Sequence, residues 1–159
     1  MKYSFFLLLL ILATACQHFG KVKVDIPSFD LLLPDSVTHF NTNQIPDGKP
    51  IILLYFSPDC DHCQKETDSL LHNIEYLRHV QFYFITNDPI ERIKVFNTYY
   101  KIYNYPNITL GQDYHFFFIG HFKPSGPPYL LIYDKNKRWR AVFKGEASVS
   151  QIVKFINTL

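Results

Sequence analysis

Cys60 and Cys63, in the run Cys60-Asp61-His62-Cys63, are the residues of this 159-residue chain best placed to do chemistry. Two thiols three apart on the first turn of a helix can close a small disulfide ring. They also lie where unpaired backbone N–H groups and the helix dipole stabilise a thiolate. The flanking sequence supplies that setting. Ile51-Ile52-Leu53-Leu54-Tyr55-Phe56 is continuously apolar, as a strand buried on both faces requires, and a helix-patterned segment follows it. Local charges pull in opposite directions. The dipole contributes ~1 kcal/mol toward thiolate, and His62, protonated or donating a hydrogen bond, pulls the same way. Asp59 and Asp61 flank Cys60 and oppose it, unless Asp59 is engaged in capping the helix. One pKa unit is about 1.4 kcal/mol, so two exposed carboxylates can cancel most of the dipole effect.

The third cysteine belongs to a different part of the chain. Met1-Lys2 is a short basic start, and Phe5 to Leu12 is an apolar stretch too short to span a bilayer comfortably. Leu12-Ala13-Thr14-Ala15-Cys16 then resembles a bacterial lipobox, in which the cysteine carries lipid and begins the mature protein. An ordinary secretory signal cleaved near Ala15 is the alternative, and either one exports the protein. The expected organisation is a signal peptide over 1–15, a lipidated terminus and tether over 16–33, and one domain over 34–159. With Cys16 lipidated, Cys60 and Cys63 are the only thiols left, and a ring that short is a weak staple. The pair is therefore there for redox chemistry or for a metal.

Composition bounds the rest. Sixteen basic and fourteen acidic residues leave a formal charge of +2, which points to no nucleic-acid partner. Aromatic residues make up 17%, most of it read as core and strand, with Tyr99, Tyr100, Tyr103 and Tyr105 as candidate surface residues.

The elements that must position the thiols follow from periodicity. Val37 to Phe40 is a candidate early strand, and Pro46-Asp47-Gly48 marks a loop. Cys63, Thr67, Leu70, Leu71, Ile74 and Leu77 recur at helical spacing, which predicts an amphipathic helix over about 60–79. Gln81 to Thr86 reads as the next strand, and a helix over about Ile90 to Tyr103 lies between Pro89 and Pro106. Tyr114 to Phe122 fits a short helix or a strand. Tyr129 to Tyr133 and Trp139 to Phe143 form a hairpin, and Val149 to Leu159 closes the chain as a helix. A βαβ unit followed by a ββα unit, with the crossover right-handed, is an α/β arrangement around a mixed sheet flanked by helices.

Strand, CxxC, helix, in that order of elements, resembles the thioredoxin-like superfamily across residues 34–159, and most of all the exported thiol–disulfide oxidoreductases of the TlpA type. Three features carry the likeness: Tyr55-Phe56-Ser57-Pro58-Asp59-Cys60-Asp61-His62-Cys63; Ser125-Gly126-Pro127-Pro128 directly before a strand; and Glu66, three residues after Cys63. The resemblance implies that Cys60 is the exposed nucleophile, Cys63 the buried resolving thiol, and Cys60–Cys63 the redox disulfide. It implies that Pro128 is the cis-proline beside the thiols, and that Glu66 assists proton transfer, as in cytochrome-maturation members. A histidine before the second cysteine, as His62 is here, also occurs in strongly oxidising relatives. Two departures matter. Asp59 stands where thioredoxins have tryptophan, and Leu54 stands where they bury an aspartate.

The resemblance further implies a monomer of the periplasm-facing cell envelope of a Gram-negative bacterium, lipid-anchored to the membrane. It would need no cofactor and no metal, would act on protein thiols and disulfides, and would be served by a redox partner protein. A reductant or isomerase fits better than a primary oxidant. Two other classes stand beside it. One is a copper chaperone binding through the two thiolates and His115 or His121. The other is a redox-silent module that holds extended peptides. Peroxidase activity fits least, since the peroxiredoxin pattern Pro-x-x-x-[Thr/Ser]-x-x-Cys is absent, with Leu53 and Tyr55 to Ser57 in the corresponding region.

Overall fold

The computed structural model describes residues 26–159, so the signal segment and Cys16 lie outside the described residues. Seven strands make one mixed sheet: β1 (Asp30–Leu32), β2 (His39–Asn41), β3 (Ile51–Tyr55), β4 (Gln81–Thr86), β5 (Ile108–Gln112), β6 (Tyr129–Tyr133) and β7 (Trp139–Lys144). Their order across the sheet is β2-β1-β5-β4-β3-β6-β7. The helices are α1 (Asp61–His72), α2 (Ile90–Tyr100), α3 (Phe117–Phe122) and α4 (Val149–Ile156). None of them is long and apolar enough to cross a membrane.

Strand β3 is central because every residue of Ile51-Ile52-Leu53-Leu54 is fully buried, which only a strand covered on both faces achieves. Alternation then sorts its side chains. Ile52 and Leu54 face a core shared with Phe82, Phe84, Leu130, Leu70 of α1, Phe96 of α2 and Ile152 of α4. Ile51 and Leu53 face a second core with Tyr83, Leu131, Tyr133, Leu31 and Phe118 of α3. β3 runs parallel to β4, and β4 to β5, whereas β6 runs antiparallel to β3 with Tyr55 opposite Tyr129 and Ile51 opposite Tyr133. The carboxyl ends of β3 and β4 and the start of β6 therefore share one pole of the molecule, and α1 begins there.

Several sequence expectations change. The folded unit begins ahead of residue 34, because β1 pairs with β2 and β5 and buries Phe29 and Leu31. The early strand is His39–Asn41; Val37 is exposed in the preceding turn, which the Asp35 carboxylate organises by accepting the Val37 and Thr38 N–H groups. The first helix stops at His72, where the Asn73 side chain donates to the Ser69 carbonyl, and a 3-10 turn buries Ile74 and Leu77 instead. The second stops at Tyr100, because Lys101 takes a left-handed conformation at φ 51°. The closing helix ends at Ile156.

The largest change is β5, which turns the first unit into βαβαβ. Ile-Thr-Leu-Gly-Gln lacks a continuous apolar run, yet it is a near-central strand. Gly111 explains why the chain tolerates it there: a Cβ at this position would lie 2.8 Å from the Leu31 Cβ, so β1 can close against β5 only across a glycine. Within Tyr114 to Phe122 the helix is Phe117–Phe122. Its first turn is fixed by Asp113, whose buried carboxylate accepts the N–H groups of Phe117 and Phe118 at 3.0 and 2.7 Å.

Candidate active site

The pole where β3 ends is built by three loops. The first carries Phe56 to Cys60 from the buried strand into α1. Cys60 is the N-cap of that helix, and its Sγ accepts the Cys63 N–H at 3.3 Å. Capping by a sulfur is uncommon; serine, threonine, asparagine and aspartate are the usual N-caps. Here it aims one of the helix's orphan donors at the Cys60 sulfur. Asp59 does not cap the helix. Its carboxylate is held by Arg92 of α2, which also lies 3.8 Å from Asp88. The expectation of an Asp59 cap fails because the cap position falls one residue later and a cation from α2 takes the carboxylate.

The second loop is Ser125 to Pro128. The Pro127–Pro128 peptide bond is cis, and the Pro127 carbonyl oxygen lies 4.0 Å from Cys60 Sγ. The Pro128 carbonyl accepts the Gly145 N–H at 2.9 Å, tying this loop to the third. That third loop, Gly145 to Ser148, leads into α4. It places the Ala147 N–H 3.2 Å from Glu66 Oε1 and Glu146 Oε2 3.2 Å from His62 Nδ1.

Burial separates the two thiols. Both are free; Cys60 is partly exposed and Cys63 is buried in the core. Burial pushes the Cys63 thiol strongly upward. Its hydrogen-bonding and charge interaction with Cys60 and the charge of Glu66 add to the rise, and the Ser57 backbone N–H opposes it. Glu66, one turn further along α1, is only 1% exposed, and burial raises its carboxyl to about 7. The Ala147 N–H offsets part of that rise, and Glu146 adds to it. Glu66 Oε2 is buried without a hydrogen-bond partner among the described residues. A buried carboxyl raised toward neutrality thus lies one helical turn along α1 from a buried thiol. Leu54 is fully buried in β3, so Glu66 is the acid that this core offers at the thiols.

The structure thus brings Cys60, Cys63, Glu66 and the Pro127–Pro128 loop together. His62 lies beside them on the exposed surface, in contact with Glu146 rather than with the core. Residues that spacing alone did not single out are Arg92, Glu146, Ala147 and Gln64, whose Nε2 donates to the Pro58 carbonyl at 2.7 Å. Beside this loop runs a groove of about 390 Å³, apolar along Pro58, Val95, Phe96, Tyr99 and Tyr100 and bordered by the Asp59–Arg92 ion pair. His121 stacks on Phe117 of α3, and among the described residues no three His, Cys, Asp or Glu side chains converge as a metal site.

No family model and no curated protein matches the sequence. Solved structures do. A secreted disulfide oxidoreductase of Mycobacterium tuberculosis, homologous to E. coli DsbE, superposes with a TM-score of 0.68 at 18% identity, over 82% of this chain and 96% of that one. A thioredoxin-like protein from Aeropyrum pernix gives 0.64 at 20% identity, over 83% and 89%. A peroxiredoxin-like protein from Aquifex aeolicus gives 0.68 at 15% identity, over 84% of each chain. The neighbours are disulfide oxidoreductases and peroxiredoxin-like proteins, and the likeness shows the thioredoxin-like fold, as the order of elements implied.

Proposed function

We propose that this chain is a thiol–disulfide oxidoreductase that uses Cys60 and Cys63 as its dithiol/disulfide couple. The observation that carries the reading is the asymmetry of the pair: an accessible Cys60 sulfur that accepts a helix N-terminal N–H, above a buried Cys63 whose proton is held tightly. In the reductive direction, Cys60 thiolate attacks one sulfur of a substrate disulfide. The substrate S–S bond breaks, a mixed disulfide forms at Cys60, and the departing substrate thiolate takes a proton. Cys63 then loses its proton to Glu66 and attacks the Cys60 sulfur. The second substrate thiol leaves, and the Cys60–Cys63 disulfide retains the oxidising equivalents until a redox partner removes them. A Cys63 held protonated until Glu66 accepts its proton delays the second step until the mixed disulfide has formed.

Among such enzymes the TlpA type fits best, and the neighbour described as secreted supports the same location. In this reading the protein is exported, anchored by lipid on Cys16, and faces the periplasm as a reductant or isomerase for protein disulfides. The loop ending in Pro128 would hold the substrate chain beside Cys60. Leu53 is buried within β3, opposite Leu131, where a peroxiredoxin pattern needs proline, so the peroxidase reading is not adopted. The test is titration in a defined redox buffer together with insulin reduction. One two-electron transition, abolished by either cysteine substitution, is the expected result. Absence of a Cys60–Cys63 disulfide at every potential would overturn the reading.

A further inference from the structure

The charges of this molecule are sorted by pole. Four segments serve the ends of the central strands farthest from the thiols: 46–50, 73–80, 101–107 and 134–140. They are joined by backbone contacts across the sheet. Gly48 N donates to the Lys135 carbonyl, Gln81 N to the Pro50 carbonyl, and Phe82 N to the Asn107 carbonyl. Together they carry seven cations (Lys49, Arg78, Lys101, Lys135, Lys137, Arg138 and Arg140) against three carboxylates, Asp47, Glu75 and Asp134. The other described residues carry six cations and ten carboxylates. A formal +4 at one pole therefore faces −4 elsewhere in a folded unit that is neutral in sum. Asp35, on the β1–β2 hairpin, flanks the basic pole beside Tyr103 and Ile108.

Ion pairing does not consume this charge. Lys137 meets Asp47 at 3.3 Å, Arg140 meets Asp134 at 3.5 Å, and Arg78 meets Glu75 in an exposed pair of the kind worth little in water. Lys49, Lys101, Lys135 and Arg138 have no carboxylate partner among the described residues. A cleft of about 500 Å³ opens on the same pole, with Lys49, Arg78 and its partner Glu75, Gln81 and Asn104 in its walls. Between Arg138 and Arg140 stands Trp139, the single tryptophan of the chain, 46% exposed at the start of the edge strand. Tyr76 and Tyr103 are exposed on the same pole, at 69% and 65%.

Cations interleaved with exposed tryptophan and tyrosine are what an anionic bilayer surface takes up. The cations meet lipid phosphates, and amphipathic rings sit at headgroup level. We propose that this pole docks on anionic phospholipid headgroups, with Trp139 entering the interface and Lys49, Lys135 and Arg138 meeting lipid phosphates. Docked this way, the molecule presents Cys60 away from the membrane, toward soluble substrates. The proposal rests on the envelope location argued above, and is independent of the thiol chemistry.

Trp139 reports the test directly. The full chain is added to vesicles of phosphatidylcholine alone or with about one third phosphatidylglycerol, and Trp139 emission is followed with and without bromine-labelled acyl chains. A blue shift with bromine quenching on the anionic vesicles alone, reversed by salt near 0.5 M, is expected. Lys49→Glu with Lys135→Glu and Arg138→Glu should weaken the anionic component of binding about 100-fold, each headgroup contact being worth roughly a factor of five. Equal signals on neutral and anionic vesicles, or a triple variant that behaves as the parent, would overturn the proposal and leave attachment to the N-terminal segment. So would duplex DNA that shifts Trp139 emission by itself and strips the protein from vesicles. Insulin reduction in the same samples reads the thiol chemistry and the integrity of the fold separately, because the three substituted residues lie at the pole opposite Cys60.

Discussion

Glu66 gives the fold a pH response of its own, and through the role proposed for it the site would share that response. Its carboxyl is raised by burial from an ordinary value of 4.5 to about 7, so between those limits the folded state binds a proton that the unfolded chain does not. Stability must therefore fall as pH rises through that window and level off above it. Glu66→Gln keeps an oxygen for the Ala147 N–H and removes the titration. The substituted protein should gain on the parent by up to about 3 kcal/mol between pH 4.5 and pH 8, read from urea midpoints. A gain that does not change with pH would show that the buried acid ionises freely. The same substitution removes the proton acceptor proposed for Cys63. The mixed disulfide at Cys60 should then persist on the order of 100-fold longer near neutral pH, the lower end for loss of a positioned base, in a single-turnover quench experiment. Cys63→Ala should arrest the reaction there entirely, giving Cys60-linked adducts that a reducing gel releases and that Cys60→Ala does not form.

Helices and strands place these residues with little tolerance, and β5 is the sharpest case. Gly111→Ala drives a Cβ to within 2.8 Å of the Leu31 Cβ, so β1 must move or β5 must bend. The expected cost is about 1–3 kcal/mol in urea unfolding, as for other overpacked sites. Faster amide exchange in residues 29–32 would locate the damage; unchanged exchange there would show that β1 gives way at no cost. The elements that the sequence announces are those with an unbroken local signal. Ile51–Tyr55, Gln81–Thr86 and Tyr129–Tyr133 are apolar runs of strand length, and their bounds agree with the structure to within a residue. Strands β1 and β5 were not legible, because three residues carry no period and Thr109, Gly111 and Gln112 interrupt the other. In the site, Cys60 and Cys63 were legible from their spacing at the start of a helix, whereas Glu66 came only from the resemblance, since nothing in its local pattern marks it as buried. The partners of Asp59 and His62 were not legible, since Arg92 and Glu146 lie 33 and 84 residues away and only the closed fold brings them near.

Seen as a whole, the molecule sets an acidic surface around the thiols opposite its basic pole. Asp59, Asp61, Asp88, Glu91 and Glu146 lie on the loops and first helical turns around Cys60, against Arg92, which two of them share, and Lys144, which stands opposite Tyr129 at the same pole. A field of that sign, summed over charges within roughly one Debye length of the sulfur (~10 Å at 0.1 M salt), acts on encounter rather than on the bond-breaking step. It should favour disulfides that carry positive charge and disfavour those that carry negative charge. The measurement is the second-order rate of Cys60 with an aliphatic disulfide bearing two ammonium groups, against its analogue bearing two carboxylates, across a salt series. At low ionic strength the dicationic reagent should react on the order of 10-fold faster than the dianionic one, and the two rates should converge as salt screens the loops. Asp88→Asn with Glu91→Gln, neither of which touches the thiols, should remove a large part of the difference while leaving the rates at high salt unchanged. A preference that survives high salt would instead place recognition in direct contacts, with the groove of Val95, Phe96 and Tyr99 as the nearest surface able to make them.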